Sequence, residues 1–415
     1  MHERGLIMLI TDENRTACGS DESTVKHESQ HEITPVNDSA SLYGGSRSKA
    51  GLRLSDDRKA GNDASKHMNV VNVSNYLHDK AGFSADVAQY RNSVSAKTGF
   101  DHLDAFQPLF PGFYSIGAIS GLGKTTFMLQ MCDQIAEAGM PVLYFTLEQS
   151  APELVCKSLA RRMYLQSRQD PERDTYSSMQ IRFGEADESE AFQAQLNDYA
   201  NIAKKQCIVE CNGATVEDII EIIREYSSNV DGGPPVVVID YLQIIQKTKT
   251  DGNRFLLLDE RQHIDYVIEK LKDIQMEMSL VLICICSVNR ANYLAPIGFE
   301  SFKSSGNIEF TSDVVWGLQL RIVSKPMFLE TGKIVEKRKE MDAAKGASPR
   351  EVELVVLKNR FGRTSTAFYF DYYAEHDTYI DRGTSNSGKQ NKTPKALPAA
   401  LYYRILERAL AGRAQ

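Results

Sequence analysis

Lys124 and Thr125 sit in the run Ala118-Ile-Ser-Gly-Leu-Gly-Lys-Thr-Thr126, and Gly-Lys-Thr at a strand-to-helix turn is the core of a phosphate-binding P-loop. The apolar stretch Phe113 to Ala118 before it reads as a strand, and the pattern after it reads as a helix continuing to Ala138. Gly121 and Gly123 let the backbone turn its N–H groups inward around phosphates. The helix N-terminus adds a field that favours negative charge. Ser120, Gly121, Leu122, Gly123, Lys124, Thr125 and Thr126 are therefore the expected nucleotide contacts. Lys124 is expected to reach the β and γ phosphates of ATP, and the Thr125 hydroxyl to hold Mg2+. Ala118 stands where the first glycine of G-x-x-x-x-G-K-[ST] is usual.

Two further carboxylates belong with this loop. Val236-Val-Val-Ile-Asp240 is four apolar residues ending in an aspartate, a Walker B pattern. Asp240 is expected to share the metal with Thr125. The strand Val142 to Leu147 leads into Glu148. A carboxylate on that rim could deprotonate a water attacking the γ-phosphate; taken alone, Glu148 reads equally as a solvated strand-end residue.

The elements that must position these groups alternate along the chain. The P-loop helix keeps Met128, Met131, Cys132 and Ile135 on one face and stops at Gly139. A helix over Ala151 to Leu165, a helix over Glu190 to Lys205 and a strand over Cys207 to Cys211 follow. Thr215-Val-Glu-Asp218 starts a helix through Tyr226 in the manner of a capping box. A helix over Gln262 to Met276 and a strand over Leu280 to Cys286 come next, and then strands over Val314 to Leu320, Val352 to Leu357 and Thr366 to Phe370. Apolar runs alternating with amphipathic helices predict an α/β fold: a mostly parallel twisted sheet with helices on both faces. The last two strands, joined at Phe361-Gly-Arg363, predict an antiparallel hairpin on the edge. No period of 20 to 50 residues repeats.

Flanking this core, residues 1–69 are polar without sustained periodicity, which predicts disorder. Residues 70–97 read as a helical linker or docking segment, 98–382 as the ATPase domain, and 383–415 as a tail with a short helix. In 415 residues, 42% hydrophobic and 25% charged content is ordinary for a core-forming chain. No apolar run approaches a membrane span, and Leu6 to Ile10 is too short for a signal-peptide core, so the expected location is cytoplasmic. The seven cysteines form no C-x-x-C pair and have no histidine to complete a zinc set, which points to buried free thiols. A net charge of −7 argues against a protein that coats nucleic acid, though not against binding in a local channel.

Together the P-loop, Tyr144-Phe-Thr-Leu-Glu-Gln-Ser150 and Val238-Ile-Asp-Tyr-Leu-Gln-Ile244 resemble the RecA-like P-loop NTPase core, and specifically the ATPase domain of DnaB-type replicative helicases. Alanine at the first P-loop position is also found in that family. Phe302-Lys-Ser-Ser-Gly-Asn-Ile-Glu309 is similar to its channel-facing loop, and Lys358-Asn-Arg-Phe-Gly362 to its Lys-x-Arg-x-Gly hairpin. The resemblance covers about Thr98 to Asp381. It implies ATP and Mg2+ as cofactors, Glu148 as catalytic base, and a homo-oligomeric ring, usually a hexamer, moving on single-stranded DNA in replication. It implies further that Lys358 and Arg360 reach the neighbouring subunit's ATP, that Lys303, Ser305 and Gly306 contact DNA, and that a primase or loader is a partner. From residues alone, Lys358-x-Arg360 is more often a solvated surface pair, and Lys303 a surface lysine. Two departures stand out. Ser287 replaces the family's usual glutamine between γ-phosphate and DNA loop, and residues 1–69 have no counterpart to its N-terminal helical domain. Lys325 to Arg350 reads as an exposed, basic helical insertion. A RecA-like regulatory ATPase that assembles without unwinding is the competing reading. A small-molecule kinase fits less well, because Glu148 and the Lys358/Arg360 hairpin suit water attack at a subunit interface.

Overall fold

The computed structural model describes residues 72–92, 95–247, 249–250, 254–255, 259–289, 293–302 and 305–385. The expectations for residues 1–69, for nearly all of the tail 383–415 and for Lys303 lie outside them. By contacts the chain falls into two units, Met1–Asp79 and Lys80–Gln415. The first contributes one described helix, α1 (Val73–His78), capped by the Asn72 side chain.

The second unit begins with α2 (Lys80–Asn92) and α3 (Asp101–Phe106), followed by β1 (Gly112–Ala118), α4 (Lys124–Glu137) and β2 (Val142–Thr146). Next are α5 (Ala151–Ser167), α6 (Ser178–Arg182), α7 (Glu190–Ala203), β3 (Gln206–Glu210), α8 (Val216–Asn229) and β4 (Val236–Asp240). A two-stranded ribbon, β5 (Lys249–Thr250) and β6 (Arg254–Phe255), precedes α9 (Glu260–Met278) and β7 (Val281–Ser287). The chain then forms α10 (Ser305–Thr311), β8 (Val314–Leu320), α11 (Pro326–Glu330), α12 (Ile334–Gly346), β9 (Arg350–Asn359), β10 (Ala367–Tyr373) and β11 (Thr378–Thr384).

Nine strands make one sheet in the order β11-β10-β9-β8-β1-β7-β4-β2-β3. From β8 to β3 every pairing is parallel; β8 to β11 pair antiparallel. β1, β2, β4 and β8 are buried along their whole length, so their sequences are apolar runs rather than alternations. Right-handed crossovers place α4 to α7 on one face and α8 to α10 on the other, because the chain steps outward to β2 and β3 and then returns to β4, β7 and β8. Thr215 and Asp218 cap each other's backbone N–H at the start of α8, as the sequence predicts. Gly139, at φ +90°, ends α4.

The C-terminal edge differs from expectation in one respect. β9 and β10 form the predicted antiparallel hairpin, but β11 pairs along β10 and is the outermost strand. Its sequence, Thr-Tyr-Ile-Asp-Arg-Gly-Thr, has neither an apolar run nor clean alternation, so nothing in its pattern announces a strand. The stretch Lys325 to Arg350 does form helices, anchored by buried Phe328 and Met341. Cys132, Cys211, Cys284 and Cys286 are free and buried, Cys156 and Cys207 free and half-buried; Cys18 lies outside the described residues. Among the described residues no helix is long and apolar enough to cross a membrane.

An aromatic cluster ties the C-terminal strands to the P-loop helix. The Phe127 ring on α4 stacks on Phe100 at 5.1 Å and meets the edges of Phe370 at 5.3 Å and Tyr379 at 5.1 Å. Phe127 has no exposed surface, so its replacement leaves a cavity among rings that cannot close in. Phe127→Ala is expected to lower stability by about 3–5 kcal/mol, read as a lower urea midpoint at unchanged slope.

Candidate nucleotide site and trans-acting rim

The parallel register brings the strand ends that matter to one rim. Ala118 at the end of β1 pairs with Ser287 at the end of β7, and Thr146 at the end of β2 pairs with Asp240 at the end of β4. The P-loop, the Walker B aspartate and the Glu148 turn therefore share the carboxyl edge of the sheet, where open α/β folds carry their ligands.

Gly121 and Gly123 have φ of +79° and +78°, and α4 starts at Lys124 with its amides directed into the loop. Gly123 is constrained twice, since a Cβ there would lie 2.7 Å from the Tyr372 ring and 2.8 Å from the Tyr379 hydroxyl. Those tyrosines stack at 4.3 Å under the loop. Tyr379 donates to the Leu122 carbonyl, and Arg350 donates to the Gly121 carbonyl at 3.1 Å. Sequence reasoning finds none of these three braces. They come from strands separated from the loop by more than two hundred residues, and no local pattern marks them.

Lys124 Nζ donates to the Ala118 carbonyl at 2.9 Å, folding back over the loop. Burial lowers its pKa, and the charges of Asp240 and Glu148 partly offset that. Thr125 Oγ1 and the Tyr144 hydroxyl both donate to Asp240 Oδ2, at 2.7 and 2.8 Å. Asp240 is 4% exposed. Its burial pushes the carboxyl above the usual range, against the pull of those two hydrogen bonds. The Tyr144 contact with Asp240 is one that sequence reasoning misses, although a tyrosine in an aliphatic buried strand signals that its hydroxyl has a partner.

Among the described residues no three His, Cys, Asp or Glu side chains converge on a metal position. Mg2+ does not require such a cage, because it is held by one or two protein oxygens together with phosphates and water. The adjacent Thr125 hydroxyl and Asp240 carboxylate fit that pattern. Asp240 has no ion pair among the described residues, and a cation would relieve the cost of its burial.

Glu148 is exposed on the same rim. Its turn is pinned by Thr146, whose hydroxyl donates to the Gln149 carbonyl at 2.6 Å and accepts from the Gln149 N–H at 3.2 Å. Leu147 N–H bonds the Asp240 carbonyl at 2.9 Å. The other predicted nucleotide contacts divide: Ser120 is exposed at the loop tip, the Leu122 side chain is buried, and Thr126 Oγ1 donates to Asp377 at 3.0 Å. The Thr126 side chain is thus committed to the fold, which leaves its N–H for a ligand.

Lys358 and Arg360 are elsewhere. Arg360 N–H bonds the Asp313 carbonyl, and Asp313 N–H bonds the Phe113 carbonyl near the start of β1. That is the opposite rim, on the order of 17 Å along the strand from Ala118 at about 3.3 Å per residue. These two cations do not reach the phosphate loop of their own chain. Phe302 is buried against β1, and a Cβ on Gly117 would meet its ring at 2.5 Å. α10 begins at Ser305 and contains Gly306, so these two predicted DNA contacts open a helix and do not lie on the expected loop; Phe302, packed beside the P-loop strand, precedes them. At Ser287 the backbone N–H donates to the Gln243 amide oxygen at 3.1 Å.

The model of the DnaB-like helicase C terminal domain family matches residues 95–379. The replicative DNA helicase DnaB of Haemophilus influenzae is 25% identical over 263 residues, covering 60% of this chain and 51% of that protein. The chain thus spans about half the length of the curated relatives it matches. Among solved structures, an isolated ATPase domain aligns with a TM-score of 0.57 at 17% identity, covering 76% of this chain and all of that one. A DnaB-like replicative helicase, solved in a study of its interactions with primase, aligns with a TM-score of 0.55 at 16% identity over 75% of this chain and 67% of that one. These two likenesses show a RecA-like ATPase fold.

Gly123 and Gly139 offer a matched test of the loop, since a Cβ on Gly139 would meet nothing within 4 Å. Gly139→Ala should cost about 1–2 kcal/mol from its backbone conformation alone and keep nucleotide binding. Gly123→Ala should also displace the tyrosine pair and abolish binding of a fluorescent ATP analogue.

Proposed function

The chain belongs to the DnaB-like helicase C terminal domain family, and we propose that it is an ATP-driven motor on single-stranded DNA that hydrolyses ATP between the subunits of a ring. The observation that carries this reading is the division of the predicted catalytic groups between two rims. Lys124, Thr125, Asp240 and Glu148 line one, while Lys358 and Arg360 lie a strand length away. Such a set is incomplete within one chain and becomes complete when the second rim of a neighbour faces the first.

In that arrangement the loop amides from Ser120 to Thr126 cradle the phosphates, and Lys124 turns from the Ala118 carbonyl to the β and γ oxygens. Thr125 and Asp240 hold Mg2+, which when bound neutralises charge on those oxygens. Glu148 orients a water and accepts its proton, in a field already set by Lys124 and Asp240. The neighbour's Arg360 places its planar fork against the transferring phosphoryl group, and Lys358 adds a second cation. Lys303, Ser305 and Gly306 are assigned to the DNA backbone, where one cation and backbone amides track phosphates without reading bases. A primase is the partner class suggested by the primase-interacting helicase among the structural relatives, and a loader is a second that the family resemblance implies. A six-membered ring is the assembly we favour, and the cytoplasm the location.

Ser287 favours one other reading, a regulatory ATPase that assembles without unwinding, because a serine is too short for the paired amide contacts a glutamine makes. The two readings separate on hydrolysis measured with and without single-stranded DNA. The motor predicts strong stimulation, and Glu148→Gln should lower turnover by about 10²–10⁴ with ATP binding retained. Arg360→Ala should lower turnover by about 10³ or more, and mixing it with Glu148→Gln subunits should restore activity at interfaces that pair an intact Glu148 with an intact Arg360. Hydrolysis indifferent to DNA would replace the motor with the regulatory ATPase, and failure of the mixed rings to recover would remove the shared site.

A further inference from the structure

Arg360 and Lys358 do not project freely from their rim. Arg360 Nη1 bonds Asp313 Oδ1 at 2.9 Å, and its Nη2 reaches the Phe310 carbonyl at 3.4 Å. Lys358 Nζ donates to the Glu309 carbonyl and, at 3.3 Å, to the Phe310 carbonyl. Glu309 and Phe310 are in the last turn of α10, so both cations cap the carbonyl end of this helix, where positive charge is favoured. Asp313 is itself fixed from below: Lys272 Nζ on α9 bonds its Oδ2 at 2.6 Å, and the Phe113 N–H on β1 bonds the same oxygen at 2.9 Å. Burial raises the Asp313 pKa, but Lys272, the Phe113 amide and Arg360 outweigh it, so the carboxyl stays ionised and below its usual range.

We propose that Asp313 is the positioning residue for Arg360, and that through it the trans-acting cations and helix α10 form one hydrogen-bonded unit. This rests on the reading of Arg360 as a finger for the neighbouring site. Arg360 presents two edges. One is bound to Asp313 and the α10 carbonyl, and the Arg360 side chain is still half exposed, at 54%, so it can meet a phosphate without giving up its seat. A displacement of Arg360 toward a neighbour's phosphate is passed to the Phe310 carbonyl directly, and to the start of β8 through Asp313. α10 itself carries Ser305 and Gly306, two of the predicted DNA contacts, so nucleotide state at one interface and DNA contact in the adjacent subunit share a connection of a few hydrogen bonds. Lys272 and the Phe113 N–H hold the other oxygen, so the Asp313 carboxylate keeps its orientation toward Arg360.

The test is a double-mutant cycle with the full chain: wild type, Asp313→Asn, Arg360→Ala and the double variant, each assayed with and without polydeoxythymidylate. Asp313→Asn is expected to lower DNA-stimulated turnover about 10- to 100-fold through misplacement of Arg360, and to bring the stimulation ratio close to one. The half-saturating ATP concentration should change by less than about threefold. In the Arg360→Ala background the same substitution should have no further effect. Asp313→Glu keeps the charge and should recover part of the stimulation, and it carries the same cycle if the asparagine variant does not fold. Losses that multiply across the cycle, or a stimulation ratio that survives in Asp313→Asn, would overturn the proposal and leave the finger standing. Wild-type turnover in Arg360→Ala would overturn the finger and this proposal together.

Discussion

The length of β1 is the constraint on which the other features depend. The strand runs from Gly112 to Ala118, flanked in parallel register by β7 and β8, and a paired strand in the middle of a nine-stranded sheet neither bends nor shortens. Its carboxyl end opens into the phosphate loop, and its amino end is bonded through Phe113 to Asp313 and so to Arg360. Whatever Arg360 does, it does at a fixed distance from its own loop. For both rims to work on one nucleotide, as proposed, they must come from two chains.

On the loop side, buried polar groups set the geometry. Asp240 is carried into the interior by four apolar neighbours and is stabilised there by two hydroxyl donors, each such bond to a charged acceptor being worth about 1.5–3 kcal/mol. Thr125 and Asp240 are already close enough for one small cation to take an oxygen from each. The tyrosines beneath Gly123 and the arginine on the Gly121 carbonyl hold the loop open from behind. The glycine backbone can therefore be permissive without being loose, and the C-terminal strands act as part of the nucleotide site although no residue on them is a predicted ligand of their own chain's loop.

On the other rim, Lys358 and Arg360 both cap the carbonyl end of α10, and the Arg360 side chain is also half exposed. In the proposed arrangement, the bonds from Arg360 to Asp313 and to the α10 carbonyl would connect a neighbour's nucleotide to the helix that carries Ser305 and Gly306.

How much of this is legible in the sequence follows from the range of each signal. The phosphate loop, the Asp240 strand and the Glu148 strand end are written in short runs of neighbouring residues, because apolar burial and turn chemistry act between near neighbours; the sequence alone determined them, together with the alternation of strands and helices. β11 is not legible, since its strand state comes from pairing with β10 and not from its own composition. Nor are the braces: Tyr379 and Leu122 are 257 positions apart, and Arg360 and Asp313 are 47 apart. Which polar tip meets which carbonyl across such separations depends on register and packing, and those exist only once the sheet has closed. The tertiary structure alone therefore decided that the two predicted cations stand on the far rim, seated on the end of the helix that holds Ser305 and Gly306.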